Sequence, residues 1–434
     1  MLAQSFEISK PKIQRVPHML RDHVNFEEKY EPRVIAIGPL HHGEARYEAG
    51  EKFKSELTEK FIGDSGCQGE LMHKIIEDNI NELRDYYDWA ATESYTDKAL
   101  ADLLFLDGCA TLQFIYSFIN NELASFRIPR EQVASAEQDL FLVENQLPYM
   151  VLRLLMCQSV EEYQLKTAVD DFVWVNVMVA GGKRKRRRQL EYLVINMEEP
   201  THLLELLRTE MLGPPKFDAR KKLPRYRRPL FRNIGELKAG GIQLKPSKTS
   251  TLRDISFTRG PVAFLNLPPI VLDDSMERIL LNLKAFEMCP HFQNESGVTS
   301  YICFMHSLIN DADDVKQLRS AGVLYNRLGS DEAVAQYFNQ IGTDLMPNSD
   351  AYSNVRAKIE EHYRTIWKPT LSTWLVQFGL VYLNSPWTIL ATLGVLAGLG
   401  LTGIQTWYTI SPLAPPFTAC DAVCEYMKKQ LKIE

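Results

Sequence analysis

The feature that most constrains this chain of 434 residues is an uncharged window near its C-terminus. No Asp, Glu, Lys or Arg occurs within Pro369–Cys420, although 24% of the whole chain is charged. Within that window Trp387–Ile410 is apolar, and at about 1.5 Å per residue a helix of this length crosses a hydrocarbon core of roughly 30 Å. Trp387 and Trp407 lie near its two ends, where aromatic rings sit at membrane interfaces. The window therefore predicts one transmembrane helix over 387–410, with a long buried core helix as the alternative.

Two glycines inside this span, Gly394 and Gly398, form a G-x-x-x-G pair. Small residues at this spacing let two helices approach closely in lipid, so the pair predicts a homodimer through the transmembrane helix. Glycine is also common in membrane helices generally, which is the alternative explanation.

The remaining layout is a large N-terminal body at 1–380 and a short tail at 411–434. Met1–Arg15 contains no apolar run of the kind that a secretory signal requires, so we expect a cytosolic body and a plasma-membrane location. Cys420 and Cys424 follow the span and are candidates for lipid attachment if the tail is cytosolic; two unmodified thiols are the alternative. The seven cysteines show no C-x-x-C pair, which predicts free thiols, most of them buried.

The body has ordinary globular composition, with 45% hydrophobic residues. Apolar residues at helical spacing predict helices at 51–62, 70–90, 99–118, 139–156, 161–179, 201–212, 276–288, 298–310, 313–322, 331–341 and 352–366. Short β-branched runs at 242–244, 254–257 and 262–267 predict a small antiparallel sheet within 240–270. The predicted fold class is therefore mainly α with a small antiparallel β element, followed by one C-terminal transmembrane helix.

A basic region at 181–230 interrupts this pattern. It contains a run of six basic residues, Lys183, Arg184, Lys185, Arg186, Arg187 and Arg188. Such a run is usually a solvated loop, and a surface for anionic lipid or protein in a growth or stress regulator is the alternative. A nucleic-acid patch is the least favoured hypothesis, because the chain as a whole carries a net charge of −6.

Chemistry-bearing motifs are missing from the sequence. Phosphate-cradling loops, nucleophile elbows and zinc-protease patterns do not occur, so we predict no catalytic residue, cofactor or metal ion. The polar trio Glu144, Asn145 and Gln146 interrupts an apolar segment. Its setting predicts a structural polar cluster, hydrogen-bonded in the core and satisfying helix ends near Pro148.

An enzyme is the alternative hypothesis for the same trio. A buried Glu144 would act as a general acid or base if Asp107 and either His41 or His42 lay beside it in one pocket.

The chain resembles a plant family, the domain of unknown function 247, also called uncharacterised protein family 0481. The strings that carry the resemblance are IQRVPHML (13–20), YEPRVIAIGPLHHGE (30–44), EKFK (51–54), LLFLDGC (103–109), DLFLVENQLPYMVL (139–152), ILLNLKAFE (279–287), VTSYICFMHSLINDADDVKQLRSAGVLYNRLGSDEAVAQYFN (298–339) and NSPWTILATLGVLAGLGLTGIQTWY (384–408). The resemblance implies a helical body, a C-terminal membrane anchor and no known enzymatic activity. Some grass members of the family lie at self-incompatibility loci. They are proposed to be pollen-side determinants that recognise peptides from the pistil.

Residues and resemblance together predict a membrane-anchored interaction, recognition or signalling protein without catalytic activity. Its expected partners are the lipid bilayer and an unidentified protein or peptide, and a self-incompatibility determinant is one form that such a protein takes.

Overall fold

A computed structural model describes residues 12–22, 25–177, 199–214, 232–260, 262–292, 296–343, 345, 348, 351–366, 386–410 and 419–431. The chain divides into two compact units, Met1–Tyr363 and Arg364–Glu434. The basic run Lys183–Arg188 and the side chain of Trp387 lie outside the described part.

The first unit is mainly helical with small sheets, which confirms this part of the predicted class. Its described α-helices are α1 His18–Arg21, α2 Phe26–Tyr30, α3 Glu48–Ser65, α4 Gly69–Asp78, α5 Ile80–Asp85, α6 Trp89–Thr92, α7 Asp97–Ile119, α8 Arg130–Asp139, α9 Tyr149–Gln158, α10 Glu162–Asn176, α11 Leu203–Leu212, α12 Ile234–Ala239, α13 Asp274–Glu287, α14 Gly297–Leu308, α15 Ala312–Ser320 and α16 Asp331–Ile341, together with most of α17 Ser353–Ile366, which continues past the unit boundary at Tyr363. Short 3₁₀ turns occur at Ala45–Tyr47 and Leu123–Phe126.

Helix α7 is the centre of the core. The Thr96 hydroxyl caps its start by accepting a hydrogen bond from the backbone N–H of Ala99. It packs against α3, α4, α9 and α10, which explains why apolar residues occur on every side of it. Gly108 allows this approach, because a Cβ there would lie 2.7 Å from Leu155 and 2.8 Å from Val151.

The predicted helix over 70–90 is wrong as a continuous element. The chain forms α4, α5 and α6 instead, and Asn79 separates the first two with a non-helical backbone. Asn competes with helix formation by bonding its side chain to nearby backbone, and Asn79 donates to the carbonyl of Ile75.

The sheets are small and of two kinds. Strands β1 Ile242–Pro246 and β3 Ala263–Leu267 pair in parallel, while β2 Ser256–Thr258 pairs antiparallel with β3. The predicted purely antiparallel sheet is therefore wrong, because β2 lies on the far side of β3 and leaves β1 to run parallel. Strands β4 Ile270–Leu272 and β5 Leu324–Asn326 form a second, parallel pair that is too short to show a period-two pattern.

The second unit contains α18 Pro386–Ile410 and α19 Ala419–Leu431. Within the described part of the chain, α7 is the one helix that has the length and hydropathy to cross a membrane, and 72% of its apolar window is buried, as in a core helix. Helix α18 does not reach the same hydropathy over its described residues, so the predicted C-terminal transmembrane helix is not supported by this criterion.

All seven cysteines are free thiols. Only Cys109 and Cys289 are buried, so the expectation that most of them are core residues is wrong.

Candidate functional site

A segment outside the helices and strands, Arg33–Gly38, runs through the first unit, and its second half is buried. The chain bends at Arg33, Val34 and Gly38 and is unbent between them, so residues 33–38 are called the extended segment here. Buried backbone N–H and C=O groups must find partners, and in a sheet a neighbouring strand supplies them. Here no described strand runs beside the segment. Buried side chains from α3, α7 and the region 139–146 bond to its backbone instead.

Asp139, the last residue of α8, holds the beginning of the segment. Its carboxylate accepts hydrogen bonds from the backbone N–H groups of Arg33 at 3.0 Å, Val34 at 2.8 Å and Ile35 at 3.2 Å. Arg278 on α13 donates to the same carboxylate at 3.1 Å and balances its charge. The side chains of both members of this ion pair are buried, so each needs the other.

Asn145 holds the middle of the segment. Its Oδ1 accepts from the N–H of Ile37 at 2.6 Å, and its Nδ2 donates to the carbonyl of Ile35 at 3.0 Å. In a parallel sheet, the C=O of residue i and the N–H of residue i+2 bond to the same residue of the neighbouring strand. The side-chain amide of Asn145 makes these two bonds in place of a neighbouring strand.

Asp107 on α7 and Lys54 on α3 hold the end of the segment. Asp107 accepts from the N–H of Gly38 at 2.7 Å and from the Lys54 amine at 2.5 Å, and Lys54 also donates to the carbonyl of Ala36 at 2.8 Å. Burial alone would lower the pKa of Lys54, but the carboxylates of Asp107 and Glu51 together outweigh burial and raise it. The amine therefore stays charged in the core.

Gly38 is required where the segment ends. Its φ is +76°, and a Cβ at this position would lie 2.7 Å from the carbonyl oxygen of Gln146. Both the backbone conformation and the close approach exclude larger residues here.

Gln146 closes the loop that follows Asp139. Its Nε2 donates to the carbonyls of Leu140 at 2.8 Å and Leu142 at 2.9 Å, and its Oε1 accepts from the N–H of Leu204 at the start of α11. The side chain therefore links this loop to a helix that lies 58 residues further along the chain.

Glu144 organises a second, partly charged cluster. It accepts from the N–H of Val16 at 2.7 Å, and His41 Nε2 lies 3.3 Å from its Oε2. On its other side His41 lies 2.9 Å from Glu44, through Nδ1. Burial lowers the pKa of His41, but the neighbouring carboxylates of Glu144 and Glu44 outweigh it and leave the pKa raised.

Two arginines at the edge of this cluster add positive charge. Arg15 and Arg21 lie 3.5 and 3.6 Å from Glu144, and both are partly exposed. Glu144 thus joins the N-terminal segment, residues 13–21, to His41, which follows the extended segment, through charge-assisted contacts.

The structure brings together some of the residues that the enzyme hypothesis names. Glu144 and His41 are neighbours, whereas Asp107 is paired with Lys54 and His42 is exposed beside Tyr95. Within the described ranges, no group of three or more His, Cys, Asp or Glu side chains is placed to hold a metal ion.

The trio Glu144, Asn145 and Gln146 is buried and hydrogen-bonded. Its partners are the N-terminal segment, the extended segment and the loop after Asp139, together with the start of α11. Two members of the trio bond to helix ends: Gln146 Oε1 accepts from Leu204 N–H at the start of α11, and Asn145 Nδ2 donates to the carbonyl of Asp139 at the end of α8.

Sequence reasoning missed Lys54, Asp139 and Arg278. Lys54 lies on the same apolar face of α3 as Phe53 and Leu57. A charged residue on an apolar helical face indicates a buried ion pair, and this signal was present in the sequence. Asp139 and Arg278 lie at helix ends or in polar surroundings in the sequence, where charge is ordinary.

The sequence is similar to a plant protein family and to two proteins of Arabidopsis thaliana. A family profile described as a plant protein of unknown function, DUF247, matches residues 13–401. The UPF0481 protein At3g47200 of Arabidopsis thaliana is 26% identical over 412 residues, which cover 88% of this chain and 83% of that protein. The putative UPF0481 protein At3g02645, also of Arabidopsis thaliana, is 29% identical over 177 residues, covering 40% of this chain and 32% of its own length. No solved structure matches.

Proposed function

The chain belongs to the plant DUF247 family, and from that premise we propose that it is a membrane-anchored interaction protein whose body acts without catalysis. In this proposal α18 is the anchor, and the first unit presents a surface to a protein or peptide partner.

The observation that carries the proposal is the exposure of apolar side chains around α18. Its exposed large residues are Leu390, Leu393, Val395, Leu396, Leu399, Leu401, Ile404, Trp407, Tyr408 and Ile410. Successive positions such as Leu399, Leu401 and Ile404 point in different directions, so no single face is reserved for protein packing. A helix that is apolar on all sides and uncovered by protein is stable where lipid surrounds it.

The buried polar network supports the non-catalytic part of the proposal. Asp107, Asp139 and Asn145 are bonded to the backbone of the extended segment, and Glu144 to that of Val16. Protonation of the Asp107, Asp139 or Glu144 carboxylate would weaken the hydrogen bonds that it accepts from backbone N–H groups, and these bonds stabilise the fold. A general acid or base needs instead a site that reaches its substrate.

The interaction part is supported by large side chains on the surface of the first unit. Val160, between α9 and α10, is 77% exposed, and Tyr163, in the first turn of α10, is 78% exposed. Trp89 is 71% exposed at the start of α6. Aromatic side chains of this kind are enriched among the residues that carry binding energy in interfaces.

Self-association through the anchor is the proposed homodimer contact. Gly394 and Gly398 are exposed on α18, and an added Cβ would meet no atom within 4 Å. Close helix approach in lipid needs such small residues, so Gly394→Ile with Gly398→Ile is expected to abolish dimers in membranes. Unchanged dimer content would remove this part of the proposal.

Fractionation of plant cells that express the full chain tests the anchor. The full chain is expected in the membrane pellet after carbonate extraction, and a chain lacking 386–410 is expected in the soluble fraction. A control chain that lacks 419–431 instead should stay in the pellet. Recovery of the full chain in the soluble fraction would contradict the proposal.

A further inference from the structure

We propose that α19 is a second membrane contact, an interfacial helix that lies along the lipid surface with Cys420, Val423, Cys424 and Met427 turned towards the acyl chains. This inference rests on the proposed anchoring through α18. It goes beyond that proposal because a transmembrane anchor does not need an apolar stripe on the helix that follows it.

The first support is the pattern of the helix. Cys420, Val423, Cys424 and Met427 occupy positions i, i+3, i+4 and i+7, which share one face of an α-helix. All four are exposed, including Val423 at 60% and Met427 at 56%. Within the described part of the chain, no other segment therefore covers this apolar stripe.

The opposite face of α19 is polar. Glu425 and Lys429 lie on that face, Lys428 lies at its edge, and all three are exposed. Helices with one apolar stripe and one charged face bind in the plane of the bilayer, with the stripe about 5–10 Å into the boundary between headgroups and acyl chains.

The distance from the anchor identifies lipid as the occupant. Helix α18 ends at Ile410 and α19 begins at Ala419, so fewer than ten residues join them. Even a fully extended chain covers only about 3.5 Å per residue, which keeps the start of α19 within roughly 30 Å of the membrane exit. An apolar stripe held this close to a bilayer has lipid available at high local concentration.

The charges on the helix fit the same surface. Lys428 and Lys429 are exposed in the last turn. Lysine side chains near an anionic leaflet are attracted to its headgroups. The stripe and the lysines therefore favour a lipid surface that contains anionic headgroups.

The native cysteines allow a direct test. The full chain is reconstituted into nanodiscs of phosphatidylcholine and phosphatidylserine, where both membrane faces are open to solvent. A polar maleimide is then added, and labelling of each cysteine is followed by mass spectrometry. The matched control is Ala422→Cys in a chain with Cys420→Ser and Cys424→Ser, because position 422 lies on the opposite side of α19 from Cys424.

Cys424 is expected to react roughly tenfold more slowly than the cysteine introduced at position 422. Met427→Lys, which interrupts the stripe, should raise the rate at Cys424 towards that of the control. Equal rates at the two positions in the starting chains would overturn the inference.

A second measurement separates cover by lipid from cover by protein. A fluorophore attached at Cys424 should be quenched by lipids that carry a nitroxide near the headgroup, and a fluorophore at position 422 much less. Absence of quenching at Cys424 overturns the inference even if its labelling is slow. Failure of the proposed anchor has a different signature, since the chain would then not incorporate into the discs at all.

Discussion

The Oδ1 of Asn145 accepts a hydrogen bond from the backbone N–H of Ile37 at 2.6 Å, across 108 residues of sequence. The same side chain donates to the carbonyl of Ile35, so one amide serves an extended segment as a neighbouring strand would. Asp139 and Asp107 continue this role on either side. Three segments that are distant in the sequence, 30–44, 103–109 and 139–152, are therefore joined by one network of buried hydrogen bonds.

Replacement of Asn145 by Leu is expected to lower the free energy of unfolding by about 2–5 kcal/mol, because Ile37 N–H and Ile35 C=O lose their partner in the core. Urea denaturation of the full chain in detergent, followed by circular dichroism, measures the effect. Asn120→Leu is the control, since Asn120 is exposed and bonds only within its own helix. Equal effects of the two substitutions would show that the Asn145 bonds do not support the segment.

Lys54→Met is expected to cost about 3–5 kcal/mol of unfolding free energy, because Asp107 is left as an unpaired charge in the core. Asp107→Asn in the same chain should recover part of the loss, since the amide oxygen still accepts from Gly38 N–H and the charge is gone. A double-mutant cycle from denaturation midpoints gives the coupling. Strict additivity of the two single substitutions would contradict a direct ion pair.

The sequence predicted the existence of most long helices because apolar residues recur in them at helical spacing. It failed where the chain leaves the helix, at Asn79 and over 140–148. It predicted burial of Glu144, Asn145 and Gln146 because a polar trio in an apolar segment has few other solutions. It could not predict their partners, since Ile35 and Ile37 lie more than 100 residues away and carry ordinary apolar side chains. The sequence also did not predict the parallel pairing of β1 with β3. That pairing arises because β2 lies on the far side of β3, and the order of strands in a sheet cannot be read from short apolar runs.

Stability is expected to fall as the pH rises above about 6.5, the ordinary pKa of histidine. The pKa of His41 is raised in the folded chain, so above 6.5 the folded state holds a proton that the unfolded state releases. The stabilisation is present below 6.5 and is lost as the pH passes through the raised pKa. Unfolding free energies at several pH values should show this slope, which His41→Gln should remove.

The control for this slope is His42→Gln, because His42 is exposed and outside the Glu144 cluster. A slope that persists in His41→Gln, or that disappears in His42→Gln, would mean that another group causes it.

Acid is expected to destabilise the chain through His202, which caps the start of α11 by accepting from Glu205 N–H at 3.1 Å. Burial lowers the pKa of His202 to about 4. Its contribution is present above 6.5 and is lost as the pH falls from about 6.5 to about 4, by at most about 3 kcal/mol. His202→Asn keeps a capping oxygen without titrating, so its loss of stability over this range should be smaller than that of the wild type. Identical pH profiles would contradict the assignment.

The central claim is that α18 holds the protein in a membrane, and paired lysine substitutions test it most directly. Val395→Lys with Leu399→Lys places two charges at the middle of the helix, at about 2.5–3.5 kcal/mol each, whereas Thr406→Lys with Thr409→Lys places them at its end, where lysine reaches the interface.

Carbonate extraction of membranes from cells that express each chain is the measurement. The wild type and the Thr406, Thr409 variant should remain in the pellet, and the Val395, Leu399 variant should be released. Retention of the Val395, Leu399 variant at the wild-type level, or release of the wild type itself, would contradict the account.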